Sequence, residues 1–365
     1  MILREITHRL DEIFKIRTAE HFDNVGLLCG NPEREISGML VCHDALETVV
    51  DEAIKRELNL IIAFHPIIFS GMKSITAKNY VEKAVLKAIE NKIAIYAIHT
   101  AFDNDYFGVN YAICNALGLH HQKILMPKFS SLKKLEVYVP KTHSEAVRDA
   151  ILQAGAGEIG FYDDCSFSVE GQGSFRPKEG ANPFLGKQNE REYVEEKLIS
   201  CIFEEYKMSK ILRAMYSAHP YEEVAHQIIS IDNENPYSGL GKYGDLVQEM
   251  EEIDFLKMVK EKLGLKVIRH SNFTKKKIKR VGVLGGSGTS GIVAAKAKNC
   301  DAYLTGDYKY HDFFQAEGEV LLCDIGHFES EQFVVQQIFE ILLEKFPTFA
   351  VLKSNLNTNP VNYFL

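Results

Sequence analysis

The chain reads as an α/β protein: two α/β halves form one domain, interrupted by a ferredoxin-like α+β insert. Three observations predict this. Short apolar runs alternate with helical patterns in the first third and again in the last third of the 365 residues, the rhythm of βαβ units around a mostly parallel sheet. Between roughly residues 127 and 245 the character changes, and the patterns follow the order β-α-β-β-α-β. Residues of metal-ligand type stand just beyond apolar strands near both ends of the chain. The metal-binding domain is therefore assigned to residues 1–126 plus 246–365, and the insert to residues 127–245.

Each element follows from its pattern. Apolar residues at positions 2, 3, 6, 10, 13 and 14 predict an opening amphipathic helix. Residues 39–42 predict a strand, followed by a helix through Val49, Val50, Ala53, Ile54 and Leu58. Residues 60–63 give the next strand, then a helix through Val81, Ala84, Val85, Ala88 and Ile89, and a strand over 93–98. In the insert, residues 135–139 alternate like a strand, and Thr142, His143, Ser144 and Glu145 form a capping box for a helix to about 154. Residues 161–169 and 174–176 predict a hairpin around Gly171, Gln172 and Gly173. A second helix over 190–206 and a strand over 224–231 complete the insert. The last third offers strands over 280–284, 301–304 and 320–323, and a long helix through Phe333, Val334, Ile338, Phe339, Ile341 and Leu342.

Composition excludes several classes. A net charge of −8 argues against a dominant electrostatic grip on nucleic acid. The basic run from Lys275 to Arg280 leads straight into a strand and reads as its solvated start. Seven cysteines without a CxxC pair point to a reducing compartment. No apolar run approaches spanning length, and the N-terminal segment does not read as a signal peptide, so a soluble, cytoplasmic protein is expected.

Four residues carry the chemistry. His65 ends a buried strand, and Pro66 stops that strand from extending its ladder. The plainer reading is a turn histidine bonded to backbone. His99 and Asp103 share a face if residues 99–104 form a helical turn, although Asp103 and Asn104 equally suit an Asx turn. His327 and Glu331 stand at i, i+4 where a strand passes into a helix; acidic residues also favour a first helical turn, a description that suits Glu329 better. His65, Asp103, His327 and Glu331 together make a His/carboxylate set for a divalent transition ion such as zinc, iron or manganese. His99 can ligate or orient a ligand.

Other motifs are less specific. The glycine-rich stretch Gly285, Gly286, Ser287, Gly288 joins a strand to a helix and can contact a phosphate or simply make a tight turn. Lys309 and His311 follow another strand and can line the same crevice. In the insert, His219 and His226 read as a loop leading into a strand.

These motifs, in this order, resemble the Nif-three-like family, the GTP cyclohydrolase type 2 homologues. The matching pieces are residues 21–27, 64–69, 99–104, 285–288, 305–311 and 326–331, and the insert's residues 171–175 and 219–223 are similar to the longer bacterial form. The resemblance implies a dinuclear divalent-metal site in a ring-shaped homohexamer, with an insert like a PII or CutA trimerisation domain. The family's ligands fall on His65, Asp103, His327 and Glu331. One position departs: the family has two adjacent histidines before Pro66, whereas this chain has Phe64 and then His65. One or two metals per chain are therefore expected. The implied reaction is hydrolytic opening of the guanine imidazole ring of GTP or of a related nucleotide, with Glu331 or His99 moving protons and the 285–288 loop and Lys309 holding phosphates. The alternative is a metal-binding regulatory or chaperone-like protein without turnover.

Overall fold

Burial on both faces makes strands of the short apolar runs. The computed structural model describes residues 1–364. Its first part runs α1 (Leu3–Ile13), β1 (Gly26–Cys29), β2 (Met39–Asp44), α2 (Glu47–Lys55), β3 (Leu60–His65), α3 (Tyr80–Glu90), β4 (Ala94–Ala97), α4 (His99–Asp103), α5 (Val109–Leu117) and β5 (His120–Lys128). Strands β2, β3 and β4 pair in parallel. Along them the side chains alternate between two cores: Val41, Ile62, Phe64 and Tyr96 enter one, and Leu40, Cys42, Ile61, Ala63 and Ile95 the other. This is the period-two pattern of a strand covered on both faces.

The middle of the chain, Pro127–Tyr237, forms a compact unit of its own. It comprises β6 (Leu132–Pro140), α6 (Ser144–Gln153), β7 (Phe167–Phe175), β8 (Glu192–Glu204), α7 (Met208–Ala218) and β9 (His226–Ser230). The strands form a sheet in the order β7-β8-β6-β9, with every neighbouring pair antiparallel. Leu135, Val137, Val139, Ile199, Cys201 and Phe203 pack there with Val147 and Ile151 of α6 and with Ile211 and Met215 of α7.

Three expectations for this unit are corrected. Residues 190–206 do not form a helix; most of them make β8, in which Ile199, Cys201 and Phe203 are buried at every second position. The helix lies further on, at α7. Gly171 and Gly173 are not a hairpin turn but stand within β7, paired with Glu196 and Val194. A Cβ at Gly173 would fall 2.0 Å from Glu196 Oε2, so Glu196 would have to shift to admit one. Finally, the unit ends at Tyr237 rather than 245. Lys242 to Asp245 pair with a strand of the last third and so belong to the other unit.

That last third contains β10 (Asn235–Met250), α8 (Glu252–Lys262), β11 (Arg269–His270), β12 (Ile278–Ser287), α9 (Ile292–Ala297), β13 (Ala302–Gly306), β14 (Leu321–Asp324), α10 (His327–Glu331), α11 (Val334–Lys345) and β15 (Val351–Lys353). Residues 1–126 and 238–365 together make the first compact unit. It holds two sheets, ordered β1-β4-β3-β2-β15 and β11-β14-β13-β12-β10-β5. The late strand β15 pairs in parallel with β2 and so ties the chain's last part into the first sheet. One continuous core joins Val41, Ile62 and Tyr96 of the first sheet to Val283, Leu304 and Cys323 of the second. Among the described residues, no helix is long and apolar enough to cross a membrane.

Candidate metal centre

The parallel strands of both sheets end where the polar residues begin. Strand β2 closes on His43 and Asp44, and β3 on His65, with Asp44 and His65 paired across the two strands. After β4 the chain turns into α4, whose ends are His99 and Asp103. After β14 it enters α10, whose ends are His327 and Glu331. Of the two readings of residues 99–104, the helical turn is the one formed.

One carboxylate oxygen gathers three imidazoles. Glu331 Oε2 lies 3.2 Å from His43 Nε2, 3.2 Å from His65 Nε2 and 3.4 Å from His327 Nε2. The other ring nitrogen of each histidine faces a different carboxylate. Asp44 takes His65 Nδ1 at 2.8 Å and His43 Nδ1 at 3.0 Å, and Asp307 takes His327 Nδ1 at 2.7 Å. His99 follows the same rule, with Nδ1 2.8 Å from Asp23 Oδ1. A carboxylate on Nδ1 places the proton there and leaves Nε2 as a lone pair, the arrangement that orients metal-binding histidines. Thr358 Oγ1 in turn donates to Asp44 Oδ2 at 2.6 Å, and Thr100 donates through its backbone N–H to Asp23 Oδ2 at 3.0 Å.

Asp103 sits beside this group. It is buried, and the charges of Glu331 and His65 act on it. It is not among the sets of residues whose ligand atoms lie within 4.8 Å of one another, whereas His65, His327 and Glu331 are. Within this group three buried polar atoms have no hydrogen-bond partner: His43 Nε2, Asp103 Oδ1 and Glu331 Oε2. Buried polar atoms are ordinarily paired, so their concentration here calls for a ligand. A divalent cation fits this donor set.

The electrostatics agree. Burial pushes the Asp103 carboxyl well above the usual carboxylate range, and the neighbouring Glu331 adds to the effect. Burial also opposes ionisation of Glu331, yet the adjacent His43 and His65 imidazoles outweigh it and hold that carboxyl low. Burial alone would lower His65, but Asp44 and Glu331 raise it to about 10. Protons on the imidazoles thus offset the buried acids, a task that a metal ion performs equally well.

A DUF34/NIF3 (NGG1p interacting factor 3) family model matches residues 1–360. The chain belongs to this family. It is 38% identical over 346 residues to a Bacillus subtilis (strain 168) protein named GTP cyclohydrolase 1 type 2 homolog, covering 93% of each chain. A Staphylococcus epidermidis protein of the same name is 33% identical over 369 residues, covering 100% of both. The crystal structure of a Bacillus cereus protein related to NIF3 superposes with TM-score 0.86 at 37% identity, covering 100% of this chain and 99% of that one.

Within this DUF34/NIF3 chain, sequence reasoning missed several participants. His43 carries the same signal as His65, a histidine at the end of an apolar strand, but β2 was expected to stop at residue 42. Asp23 and Asp307 have no local signature, because each acts through a residue distant in sequence, and Asp44 joins its neighbour His43 to the distant His65. Phe64 supplies no ligand: its ring is fully buried in the core, 5.5 Å from the His43 ring and 5.7 Å from the His99 ring.

Two N–H groups of the glycine-rich loop are taken within the fold: Gly285 N–H donates to Asn110 Oδ1 at 2.9 Å and Gly286 N–H to Ser330 Oγ at 2.8 Å. The loop also makes room for the acid: a Cβ at Gly286 would fall 2.4 Å from Glu331 Oε1. Lys309 and His311 are exposed, and the His311 ring packs on Tyr310 and Phe314. In the other unit, His219 uses both ring nitrogens, one on the Tyr138 carbonyl at 3.0 Å and one accepting from Tyr221 N–H at 3.1 Å, the plain structural role expected of it.

A cavity of about 750 Å³ includes Asp44 and His65 in its lining. Pro66, Phe69, Lys73 and Asn79 also line it. That is room for a nucleotide-sized molecule next to the cluster.

Proposed function

We propose that this chain holds a divalent metal ion with His65, Asp103, His327 and Glu331 and hydrolyses GTP or a related nucleotide. The observation that carries the reading is the convergence of imidazole Nε2 atoms on the unpartnered, buried Glu331 Oε2. The substrate class follows the name that the relatives carry and the size of the adjoining cavity. The ion, zinc, iron or manganese, supplies Lewis-acid polarisation and water of lowered pKa.

The chain's own residues do the rest. Glu331 is buried against three imidazoles and is placed to accept a proton from attacking water. His99 is held by Asp23 at the neighbouring helix end, where it can pass that proton on. Lys73 in the cavity lining offers a cation to phosphate oxygens, a role that the 285–288 loop, with two of its N–H groups taken, is less suited to fill. Hydrolytic opening of the guanine imidazole ring adds one water across a carbon–nitrogen bond. Metal-loaded protein incubated with a panel of guanine and adenine nucleotides, followed by chromatography, tests this. Product above a His65→Ala control supports it; none from any nucleotide sinks it.

A second reading keeps the metal without turnover, as a regulatory or chaperone-like protein. Two features favour it. Phe64 removes one imidazole that the resemblance leads one to expect. The β7-β8-β6-β9 order with two helices supports reading the middle unit as ferredoxin-like, in the manner of PII or CutA sensors. This reading expects metal- or ligand-dependent changes in assembly with no chemical product. A cytoplasmic homohexamer is part of both readings, and light scattering of the purified chain tests that assembly.

A further inference from the structure

We propose that His43 is itself a metal ligand, so that β2 and β3 each deliver one imidazole to the centre. This rests on the metal reading above and extends it to a residue outside the four ligands named there. His43 is 5% exposed, at the carboxyl end of β2, next to the strand that ends on His65. Its Nε2 is buried and unpartnered, 3.2 Å from Glu331 Oε2, the same distance as His65 Nε2. The two rings stand edge to face with centroids 4.6 Å apart.

Counting donors decides the role. A neutral imidazole carries one N–H and one lone pair. Asp44 accepts from Nδ1 of both His43 and His65, at 3.0 and 2.8 Å. Each Nε2 then turns a lone pair towards Glu331 Oε2, which also has only lone pairs to offer. His327, bonded through Nδ1 to Asp307, repeats the conflict. In the metal-free chain added protons relieve it, at the cost of crowding imidazolium charges into one cluster. A single divalent ion satisfies the same lone pairs together. The spacing also suits an ion: nitrogen and oxygen ligands bound at about 2.0–2.1 Å with tetrahedral angles lie about 3.3 Å apart. The observed separations are 3.2, 3.2 and 3.4 Å.

Phe64 is consistent with this assignment. The β3 residue before His65 gives its ring to the core, and β2 supplies the imidazole from the adjacent register position.

The test uses the full chain and two probes, zinc(II) and cobalt(II). Zinc affinity is measured by competition with a chromophoric chelator, and the cobalt complex by its visible absorption. Wild type, His43→Leu, His43→Gln, His65→Ala and a remote His226→Ala are compared, with melting of each metal-free protein as the folding control. The expected result is a zinc affinity at least tenfold lower in both His43 variants, with a changed cobalt spectrum and a metal-free melt like that of wild type. Unchanged affinity and spectrum in both His43 variants, with loss in His65→Ala, overturn the role of His43 and leave the metal reading standing. A weakened affinity with an unchanged cobalt spectrum also overturns it, since His43 would then act only through a neighbour. No zinc or cobalt bound by wild type overturns both readings.

Discussion

Asp44 and His65 face each other across the β2–β3 pair, with carboxylate Oδ1 2.8 Å from ring Nδ1. That contact fixes the direction of the imidazole, leaving Nε2 towards Glu331. Asp44→Asn should therefore lower zinc affinity by about 10- to 100-fold, the usual cost of losing a partner that orients a ligand. Chelator competition measures it, and Asp307→Asn should act in the same direction through His327.

Metal binding should release protons. Burial opposes the charge on His65, but Asp44 and Glu331 outweigh it and bring the group to about 10 in the metal-free chain. The imidazole is then protonated near neutral pH, and an ion must displace that proton. Zinc affinity should rise with pH between about 6 and 9, and calorimetry in buffers of different ionisation enthalpy should show net proton release. The same shift bears on stability. A raised folded value means that His65's contribution is fully present below its ordinary value near 6.5, and is lost as pH rises towards about 10. The stability difference between metal-free wild type and His65→Ala should shrink across that window.

Gly286→Ala should damage the centre. The backbone there has φ +66°, and the added Cβ would meet Glu331 Oε1 at 2.4 Å. The left-handed conformation alone costs a non-glycine residue about 1–2 kcal/mol. Displacement of Glu331 should add a loss of zinc affinity of at least tenfold, read by the same competition assay.

Lys242→Met should stabilise the protein at neutral pH. The lysine is fully buried; its Nζ lies 3.1 Å from the centre of the Tyr106 ring but makes no hydrogen bond. Burial pushes its pKa down to about 8. A lysine lowered on folding gives wild type a stability that grows as pH rises from about 8 to its ordinary value near 10.4. The variant's advantage, about 1–3 kcal/mol at pH 7, should therefore narrow towards pH 10. Urea unfolding at both pH values checks the sign.

Local chemistry was enough for part of the centre. His327 and Glu331 sit one helical turn apart, so a strand-to-helix transition alone places them on one face. His65 was legible because an apolar run followed by proline has to end there. The alternating runs of the first and last thirds became strands for the same reason, since their burial pattern is written in consecutive residues.

What the sequence by itself determined is therefore local: the period of each apolar run, and candidate ligands separated by one helical turn or placed at one strand end. Tertiary structure decided the rest. Residues 190–206 carry scattered acids and pass for a helix, and only pairing with β6 and β7 selects the extended form and buries every second side chain. His43 and Asp44 matter because the β2–β3 register sets them beside His65, and Asp23 because folding carries it to His99, 76 residues away. The glycines at 285 and 286 suited a phosphate contact or a tight turn, and only Glu331, brought from a distant helix, shows what needs the space at Gly286. Such contacts depend on register and packing between distant segments, which no local pattern encodes.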